Sequence, residues 1–214
     1  MKVCVLFDLD GTLLNTLEDL TDGVNYALSC YGLPQRTIEE IRSFIGNGAA
    51  KLIQRASGHA ENWQEIFACY KEYYDSHCQI KTKPYAGVLE AIQEIQQEYP
   101  VAIVSNKQDE AVKTLCADYF PGVYALGETP DCPRKPAPDM LYKAMAEVGA
   151  DRFVYVGDSE VDIITAEHAG GPCVSVLWGF RDEDMLREHG AQHCCDDAHS
   201  LPNDIKAAIK ECYG

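Results

Sequence analysis

The pattern of apolar and polar positions divides the chain into short buried runs and longer amphipathic stretches. Runs rich in β-forming residues occur at four places, 3–7, 101–104, 153–156 and 173–176. Such short, continuously apolar runs are typical of strands covered on both faces of a parallel sheet. Apolar residues recur at helical spacings of three and four over three stretches, 86–98, 138–148 and 159–169. The alternation of strands and helices indicates an α/β domain with a parallel sheet.

Residues 15–82 interrupt this alternation with a pattern that predicts helices only. One apolar stripe, at the spacing of a single helix face, comprises Leu17, Leu20, Val24, Ala27, Leu28 and Tyr31. Thr37 and Glu40 have the spacing of a capping box, which opens a helix. We therefore expect a helical insert between the first strand and the rest of the sheet. The predicted division is a discontinuous core of residues 1–14 and 83–214 and a helical domain of residues 15–82.

The composition is that of an ordinary globular protein, with 46% hydrophobic and 24% charged residues among 214. A chain of this length buries enough surface to fold without a disulfide or a metal staple. The formal net charge of −16 disfavours a nucleic-acid backbone or an anionic membrane as the main partner. A small anionic substrate stays open, because local cations or a bound metal can override the global field.

The apolar runs, the cysteines and the histidines add little chemistry. The first apolar run ends at Asp8, too short for a signal-peptide core, and no other run approaches the ~18 residues of a membrane span. These features predict a cytoplasmic protein.

The ten cysteines contain no Cys-x-x-Cys pair, so we expect reduced, mostly buried thiols rather than a zinc site. The six histidines lie outside the motifs described below, and we expect structural or surface roles for them.

The strongest chemical signal is a pair of aspartates directly after the first predicted strand. Asp8 lies at the carboxyl end of that strand, Asp10 follows two residues later, and Gly11 permits a tight turn. Open α/β sheets bind ligands at this end of their strands. Two carboxylates this close repel each other unless one is protonated or a cation lies between them, and Mg²⁺ takes oxygen ligands. The alternative is a solvated Asp-Gly loop, which the buried strand before it disfavours.

A second acidic pair, Asp158 and Asp162, follows the predicted strand at 153–156. The carboxyl ends of parallel strands share one edge of the sheet, so Asp8, Asp10 and Asp158 can converge there. Asp158 or its neighbour can also cap the helix that follows. The two roles are compatible.

Two further elements carry groups that suit an anion. Ser105 and Asn106 follow the predicted strand at 101–104, where a hydroxyl and backbone N–H groups at a helix entrance suit a phosphate. Lys135 lies in a loop stiffened by prolines, and beside several carboxylates it can pair with them or with a phosphoryl group. Each element alone is a weak signal, because a Ser-Asn pair after a strand is usually a cap and a lone lysine is usually solvated.

In their order and spacing, the four elements resemble the motifs of the haloacid-dehalogenase-like hydrolase superfamily. Residues 7–13 (Phe-Asp-Leu-Asp-Gly-Thr-Leu) are similar to its first motif, Ser105 to its second, Lys135 to its third and residues 157–162 to its fourth. The resemblance covers nearly the whole chain, and the helical insert is similar to the family's small α-helical cap. It implies a Rossmann-like α/β core with a parallel sheet and an inserted cap domain.

Within the superfamily the sequence most resembles the phosphoglycolate phosphatases. The matching segments are Asp-Gly-Thr-Leu-Leu-Asn-Thr (10–16), Ile-Gly-Asn-Gly-Ala (45–49) and Pro-Tyr-Ala-Gly-Val (84–88). The resemblance implies a Mg²⁺-dependent hydrolase of a small phosphorylated metabolite, first of all 2-phosphoglycolate. A pyrophosphatase, a sugar-phosphate phosphatase or mutase, and a non-catalytic phosphate-binding relative stay open. The resemblance also implies that a dehalogenase is disfavoured, because the family's dehalogenases lack the aspartate at position 10. It favours a hydrolase over a mutase, because the family's mutases typically have another residue in place of Thr12.

The resemblance also implies roles for the acidic residues. Asp8 is the expected nucleophile, which forms an aspartyl-phosphate. Asp10 is expected to protonate the leaving alcohol and then to deprotonate the attacking water. The Asp8 carboxylate, the Asp10 backbone carbonyl and Asp158 are expected to hold Mg²⁺. Asp162 is expected to hold water molecules bound to the metal or to orient Lys135.

The remaining implied roles concern the substrate. Ser105, the backbone N–H of Asn106, and Lys135 are expected to bind the phosphoryl oxygens. The helical insert offers candidate contacts for an anionic leaving group, namely Arg42, Asn47, Lys51 and Arg55. The alternative for these residues is an ordinary turn or a solvated helix face. The oligomeric state, monomer or dimer, stays open.

Overall fold

The computed structural model describes residues 1–214 and contains eight strands and ten helices. The strands are β1 (Val3–Phe7), β2 (Leu14–Asn15), β3 (Lys83–Pro84), β4 (Val101–Gln108), β5 (Tyr124–Glu128), β6 (Arg152–Gly157), β7 (Cys173–Val176) and β8 (His193–Cys195). The helices are α1 (Leu17–Cys30), α2 (Ile38–Phe44), α3 (Ala49–Ala56), α4 (Trp63–His77), α5 (Val88–Gln96), α6 (Asp109–Tyr119), α7 (Asp139–Val148), α8 (Glu160–Ala169), α9 (Glu183–Glu188) and α10 (Leu201–Tyr213).

Six strands form a parallel sheet in the order β5-β4-β1-β6-β7-β8. In this sheet Phe7, the last residue of β1, is paired with Ile103 on one side and Val156 on the other. On one side of β1 the sheet continues with β4 and β5, and on the other side with β6, β7 and β8. The carboxyl end of β1 therefore lies at the point where the strand order reverses, which is where sheets of this kind bind ligands.

The α/β class and the parallel sheet predicted from the sequence are confirmed. The four predicted strands correspond to β1, β4, β6 and β7, although β4 continues to Gln108 and β6 spans Arg152–Gly157. The edge strands β5 and β8 are not predicted by the apolar pattern. The reason is physical, since β5 is only partly buried and β8 has three residues, so neither forms a continuous apolar run.

Both faces of the sheet are covered by helices. Val5, Phe7 and Val154 belong to the cluster on one face, and Leu6 and Tyr155 belong to the cluster on the other. Burying one such large side chain contributes about 1.5–3 kcal/mol to stability.

All ten cysteines are free, with five buried, three half-buried and two exposed. No helix combines the length and the apolar character needed to cross a membrane.

Helices α1 to α4 lie between β2 and β3 and have a core of their own. β2 and β3 pair antiparallel, with Leu14 opposite Pro84 and Asn15 opposite Lys83. The chain therefore leaves the sheet and returns to it at one point. This two-stranded pairing is the base from which the helical segment, residues 15–82, extends.

The apolar stripe predicted for the first helix of this segment is largely confirmed. Leu20, Val24 and Leu28 are buried in the cluster shared with the other helices of the segment. Tyr31 is the exception, because it lies at the C-cap of α1 and is 38% exposed. The capping box predicted for α2 is present, since the Glu40 backbone N–H donates to Thr37 Oγ1 over 3.2 Å and the Thr37 N–H donates to Glu40 Oε2 over 2.8 Å.

Candidate active site

Three aspartates meet at the carboxyl edge of the sheet. Asp8 directly follows β1, Asp158 directly follows β6, and Asp162 lies in the first turn of α8. One carboxylate oxygen from each lies within 4.8 Å of the other two. Ser105, within β4, and Lys135, in the loop before α7, lie in the same pocket and are 2% and 3% exposed. The structure thus brings the residues of all four sequence motifs to one place.

Asp8 is a buried carboxylate with little stabilisation from hydrogen bonds. Lys135 Nζ lies 2.9 Å from Asp8 Oδ1, but the angles are unsuitable for a hydrogen bond and this buried oxygen has no other partner. Burial raises the pKa of Asp8 to about 7; Lys135 opposes the shift, while Asp162 and Asp10 add to it. Burial therefore disfavours the ionised form of Asp8, and further positive charge beside it would stabilise that form.

Asp158 lies in a close-fitting backbone cradle. Its carboxylate accepts hydrogen bonds from the Phe180 backbone N–H (2.7 Å) and the Thr12 hydroxyl (3.2 Å). A Cβ at either Gly11 or Gly179 would overlap the Asp158 side chain. Glycine at both positions is what allows the backbone to approach this closely. Burial raises the pKa of Asp158 well above its ordinary value, with further contributions from Asp162 and Asp8.

These features fit a hard divalent cation. The donors are carboxylate oxygens, Asp8 Oδ1 is buried without a hydrogen bond, and burial alone disfavours charge on both Asp8 and Asp158. A cation among them would relieve the repulsion between the carboxylates and give the unpartnered Asp8 oxygen a positively charged partner. All-oxygen sites of this kind suit Mg²⁺.

Both carboxylate oxygens of Asp162 are hydrogen-bonded within the protein. It accepts hydrogen bonds from Lys135 Nζ (2.8 Å), the Tyr155 hydroxyl (3.1 Å), and the Ser159 backbone N–H (3.1 Å) and hydroxyl (2.6 Å). The Ser159 bonds complete a capping box at the start of α8. Asp162 therefore anchors Lys135 and caps the helix at the same time.

Lys135 is the cation at the centre of the aspartate cluster. Its ammonium group lies 2.9 Å from Asp8 Oδ1, 2.8 Å from Asp162 Oδ1 and 2.8 Å from the Tyr155 hydroxyl. Burial disfavours the charged form, but Asp162 and Asp8 outweigh this effect and raise the pKa of Lys135. The lysine is therefore charged at neutral pH and held rigidly beside Asp8.

Ser105 and Asn106 have different tasks. The Ser105 hydroxyl accepts a hydrogen bond from the Lys107 backbone N–H (3.2 Å), and its own proton has no partner among the hydrogen bonds of the protein. The Asn106 side chain accepts from the Lys135 N–H and donates to the Lys135 carbonyl, each over 2.9 Å. It also donates to the carbonyl of Gly46 in the helical segment (3.2 Å). Asn106 therefore holds the Lys135 loop, while Ser105 keeps a donor for a ligand.

Asp10 belongs to a second buried network beside the first. Its Oδ1 accepts from the Thr16 hydroxyl (2.6 Å) and from Lys107 Nζ (2.9 Å). The same ammonium group donates to the Tyr74 hydroxyl over 2.7 Å, and Tyr74 belongs to α4 of the helical segment. Burial disfavours the Lys107 ammonium, but Asp10 outweighs this and the pKa of Lys107 is raised.

The sequence by itself assigns no role to Lys107 or to Tyr74. Lys107 directly follows the Ser-Asn pair at the end of a strand, and this position is the only sequence signal that points to it. Tyr74 lies one helical turn after Tyr70 and packs against it as a core aromatic does. Nothing local distinguishes Tyr74, because its partner Lys107 is 33 residues away in the sequence.

Arg42 joins the helical segment to the sheet domain, and Asn47 and Lys51 do not line the pocket. The Arg42 guanidinium donates to the carbonyls of Phe180 (2.7 Å) and Gly179 (2.9 Å). Lys51 is exposed on α3. Gly46 and Gly48, on either side of Asn47, and Ala49, the first residue of α3, line the pocket instead.

Arg181 makes the reciprocal connection from the sheet domain. Its guanidinium pairs with Glu160 (2.9 Å) and donates to the carbonyls of Arg42 (3.0 Å) and Ile45 (2.8 Å) in the helical segment. The side chain is buried at the edge of the pocket. Arg42 and Arg181 together fix the position of the segment over the aspartate cluster.

The pocket between the sheet edge and the helical segment is small, with a volume of about 60 Å³. Its floor carries Asp8, Asp10, Ser105, Lys135 and Asp158. Its roof is mostly apolar and is formed by Leu20, Ile45, Ala49, Leu52, Tyr70 and Tyr74. The arrangement can bind a small anion against the floor and exclude water above it.

The family that this site defines is the haloacid dehalogenase-like hydrolases, whose model matches residues 5–176 of the chain. The chain therefore belongs to that family. The matched range contains the site residues from Asp8 to Asp162. Gly179, Phe180 and Arg181 lie just after it. The chain is an enzyme of the phosphatase type within this family.

Individual relatives are similar over nearly the full length. The phosphoglycolate phosphatase of Neisseria meningitidis is 31% identical, over 98% of this chain and 91% of the relative. That of Mesorhizobium japonicum is 32% identical over 85% of both chains. A crystal structure of a candidate phosphoglycolate phosphatase from Lactobacillus delbrueckii subsp. bulgaricus superposes with a TM-score of 0.90 at 36% identity, and covers 94% of this chain and 97% of that chain.

Proposed function

We propose that this protein is a Mg²⁺-dependent phosphomonoester hydrolase that acts on 2-phosphoglycolate through an aspartyl-phosphate on Asp8. The observation that carries the proposal is the buried Asp8 carboxylate, 2.9 Å from Lys135 Nζ, with Asp158 and Ser105 in the same pocket. A nucleophile and cationic and hydroxyl groups that bind phosphate lie on one pocket floor. The relatives named phosphoglycolate phosphatase support the choice of substrate.

Asp8, the Asp10 backbone carbonyl and Asp158 would hold the Mg²⁺ ion. When bound, the ion supplies positive charge that lets a phosphate dianion approach a carboxylate nucleophile. Lys135, with its ammonium group 2.9 Å from Asp8 Oδ1, supplies further positive charge. Asp162 keeps Lys135 in place, because it accepts one of the ammonium hydrogens over 2.8 Å.

In the first step an Asp8 oxygen attacks phosphorus and the bond from phosphorus to the ester oxygen breaks. The Ser105 hydroxyl and the Lys135 ammonium stabilise the phosphoryl oxygens as their charge develops. The leaving alkoxide takes a proton from the Asp10 carboxyl group and departs as an alcohol. Thr16 and Lys107, which both contact Asp10 Oδ1, hold that carboxyl group in position.

In the second step water attacks the phosphorus of the aspartyl-phosphate. Asp10 now takes the proton of the water, the bond between phosphorus and the Asp8 oxygen breaks, and inorganic phosphate leaves. The enzyme returns to its starting state, since Asp10 has given one proton and taken one. The same residue serves as acid and base because both transfers occur on the side of phosphorus opposite to Asp8.

Residues 15–82 form the cap of this enzyme in our proposal, and residues 1–14 and 83–214 form the core. Support comes from the contacts of Arg42 with the carbonyls of Gly179 and Phe180 and of Asn106 with the Gly46 carbonyl. These contacts place apolar roof residues over the aspartate cluster. A closed roof excludes water that would compete with the first step.

The test is phosphate release from a panel of small phosphomonoesters and pyrophosphate, each with Mg²⁺ and with EDTA. We expect release that requires the metal and is fastest with 2-phosphoglycolate. Faster release from pyrophosphate or from a sugar phosphate would overturn the substrate assignment. Release that EDTA leaves unchanged would overturn the metal assignment. If no compound is hydrolysed while Mg²⁺ with vanadate raises Tm, the protein is a phosphate-binding relative without activity.

A further inference from the structure

Three cations, Lys107, Lys135 and Arg181, line the pocket, and the last two have other partners than a leaving group. An ammonium group has three N–H donors. Lys135 donates to Asp162 and Tyr155, and its remaining N–H, beside Asp8, is the one that the proposed function assigns to the phosphoryl group. Arg181 faces Glu160 and two backbone carbonyls of the helical segment. Neither side chain is placed to bind the part of a substrate that leaves with the ester oxygen.

Lys107 is the third cation, and it has a donor to spare. Its ammonium group donates to Asp10 Oδ1 (2.9 Å) and to the Tyr74 hydroxyl (2.7 Å), which leaves one N–H without a partner in the protein. The lysine is 8% exposed and lines the pocket. A buried ammonium group gains most from a partner of opposite charge.

We infer that Lys107 binds a carboxylate on the leaving group and makes the enzyme selective for phosphomonoesters of small hydroxy acids. The inference rests on the proposed function, in which Asp10 reaches the ester oxygen. Because Lys107 Nζ is 2.9 Å from Asp10 Oδ1, a group that binds Lys107 lies close to the ester oxygen. A carboxylate joined to the ester oxygen through a single carbon can bind Lys107 while Asp10 reaches the ester oxygen.

The apolar part of the pocket lining favours a small acid over a sugar. Leu20, Ile45, Leu52 and Ala111 are apolar, and they offer nothing to the hydroxyl groups of a sugar. A sugar there would lose hydrogen bonds to water without replacement, which is unfavourable. The charge on Lys107 gives a carboxylate the compensation that a sugar hydroxyl lacks.

Tyr74 positions the lysine and ties it to the helical segment. Its hydroxyl accepts from Lys107 Nζ, and the ammonium group also lies 4.7 Å from the centre of the Tyr74 ring. The contact crosses from α4 to the end of β4. Carboxylate recognition therefore depends on the segment lying over the pocket.

The test compares two substrates that differ at one group. In 2-hydroxyethyl phosphate a CH₂OH group replaces the carboxylate of 2-phosphoglycolate, with the phosphate and the ester oxygen unchanged. We expect Lys107→Gln to lower kcat/KM for 2-phosphoglycolate by roughly 10- to 100-fold more than for 2-hydroxyethyl phosphate, since it removes one charged hydrogen bond. Most of the difference should appear in KM, and glycolate should lose potency as a competitive inhibitor.

Two further variants keep the test decisive. Lys107→Arg retains the charge and should retain part of the preference for 2-phosphoglycolate. Tyr74→Phe should shift the preference in the same direction as Lys107→Gln, by a smaller factor, and it stands in for that variant if the latter does not fold. Lys113→Met is the matched control, because Lys113 is an exposed lysine on α6 paired with Asp109, and it should leave the preference unchanged.

Equal losses on both substrates in Lys107→Gln would overturn the inference and reduce Lys107 to a residue that positions Asp10. A wild-type enzyme that hydrolyses both substrates equally well would also overturn it, while leaving the phosphatase assignment intact. A wild-type enzyme that hydrolyses neither substrate, although it hydrolyses another phosphate compound, contradicts the choice of 2-phosphoglycolate itself. The two kinds of failure are therefore distinct.

Discussion

Lys135 Nζ lies 2.9 Å from Asp8 Oδ1, with the two side chains 2% and 11% exposed. The lysine does not compensate fully for the burial of the carboxylate, because the pKa of Asp8 is still raised to about 7. Its ordinary value in an unfolded chain is about 3.9. Between these two values folded Asp8 holds a proton that the unfolded chain has lost.

The raised pKa gives a prediction for the metal-free protein. Since the folded state binds more protons in this window, the contribution of Asp8 to the free energy of unfolding falls as pH rises from about 4 to 7. Asp158 contributes in the same direction, because its pKa is also raised by burial. Mg²⁺ competes with these protons, so it should raise Tm more at about pH 8 than at about pH 5.5.

Thermal unfolding at the two pH values, with Mg²⁺ and with EDTA, measures this effect. Asp8→Asn is the companion variant, because it removes the titrating group, and it should lose much of the pH dependence of the metal effect. An equal Mg²⁺ effect at both pH values, or a larger one at the lower pH, would refute the assignment of the aspartates as ligands.

Gly179→Ala tests the cradle around Asp158. A Cβ there would overlap the Asp158 side chain and approach the Gly11 carbonyl to 2.6 Å, so the carboxylate must move. We expect a loss of about 1–3 kcal/mol in the free energy of unfolding, as in other overpacked sites, and a higher Mg²⁺ concentration at half-maximal activity.

Gly122→Ala serves as the comparison for this variant. Gly122 has a positive φ of 82°, but a Cβ there meets no atom within 4 Å. The backbone strain of an alanine at this positive φ should lower the free energy of unfolding without changing the Mg²⁺ requirement. If Gly179→Ala kept the wild-type metal dependence, Asp158 would not be a ligand.

Arg42→Ala tests the connection between the helical segment and the core. The sequence makes Arg42 a candidate contact for an anionic leaving group, whereas in the structure its guanidinium donates to the carbonyls of Gly179 and Phe180. We therefore expect its removal to lower kcat/KM for 2-phosphoglycolate and p-nitrophenyl phosphate by similar factors, together with a stability loss of about 1 kcal/mol.

Arg36→Ala is a matched variant for Arg42→Ala. The Arg36 guanidinium also donates to a backbone carbonyl, that of Ala56, but within the helical segment (2.7 Å). It should lower Tm with little change in kcat/KM. A loss in Arg42→Ala confined to the anionic leaving group would favour direct substrate contact instead.

The sequence allowed prediction of those parts of the fold whose signals are local. β1, β4, β6 and β7 lie inside the sheet with both faces covered, so each is a continuous apolar run. The edge strands β5 and β8 lack such a run. The carboxyl ends of parallel strands share an edge by geometry, and this alone predicts that Asp8 and Asp158 meet.

The rest of the site depends on contacts between distant segments. Lys107 and Asp10 are 97 residues apart, and Arg42 and Phe180 are 138 apart. A lysine after a Ser-Asn pair and an arginine on a short helix are the same in sequence whether they face solvent or a buried partner. Only the packing of the helical segment against the sheet decides which partner each of them has.

The most direct test of the central claim is the initial rate of phosphate release from 2-phosphoglycolate by wild type and Asp8→Asn, each with Mg²⁺. We expect metal-dependent release by the wild type and a loss of at least about 10⁴-fold in the variant, as for other nucleophile deletions, with a folded protein by circular dichroism. A folded variant that keeps more than about 1% of the wild-type rate would contradict the assignment of Asp8 as the nucleophile.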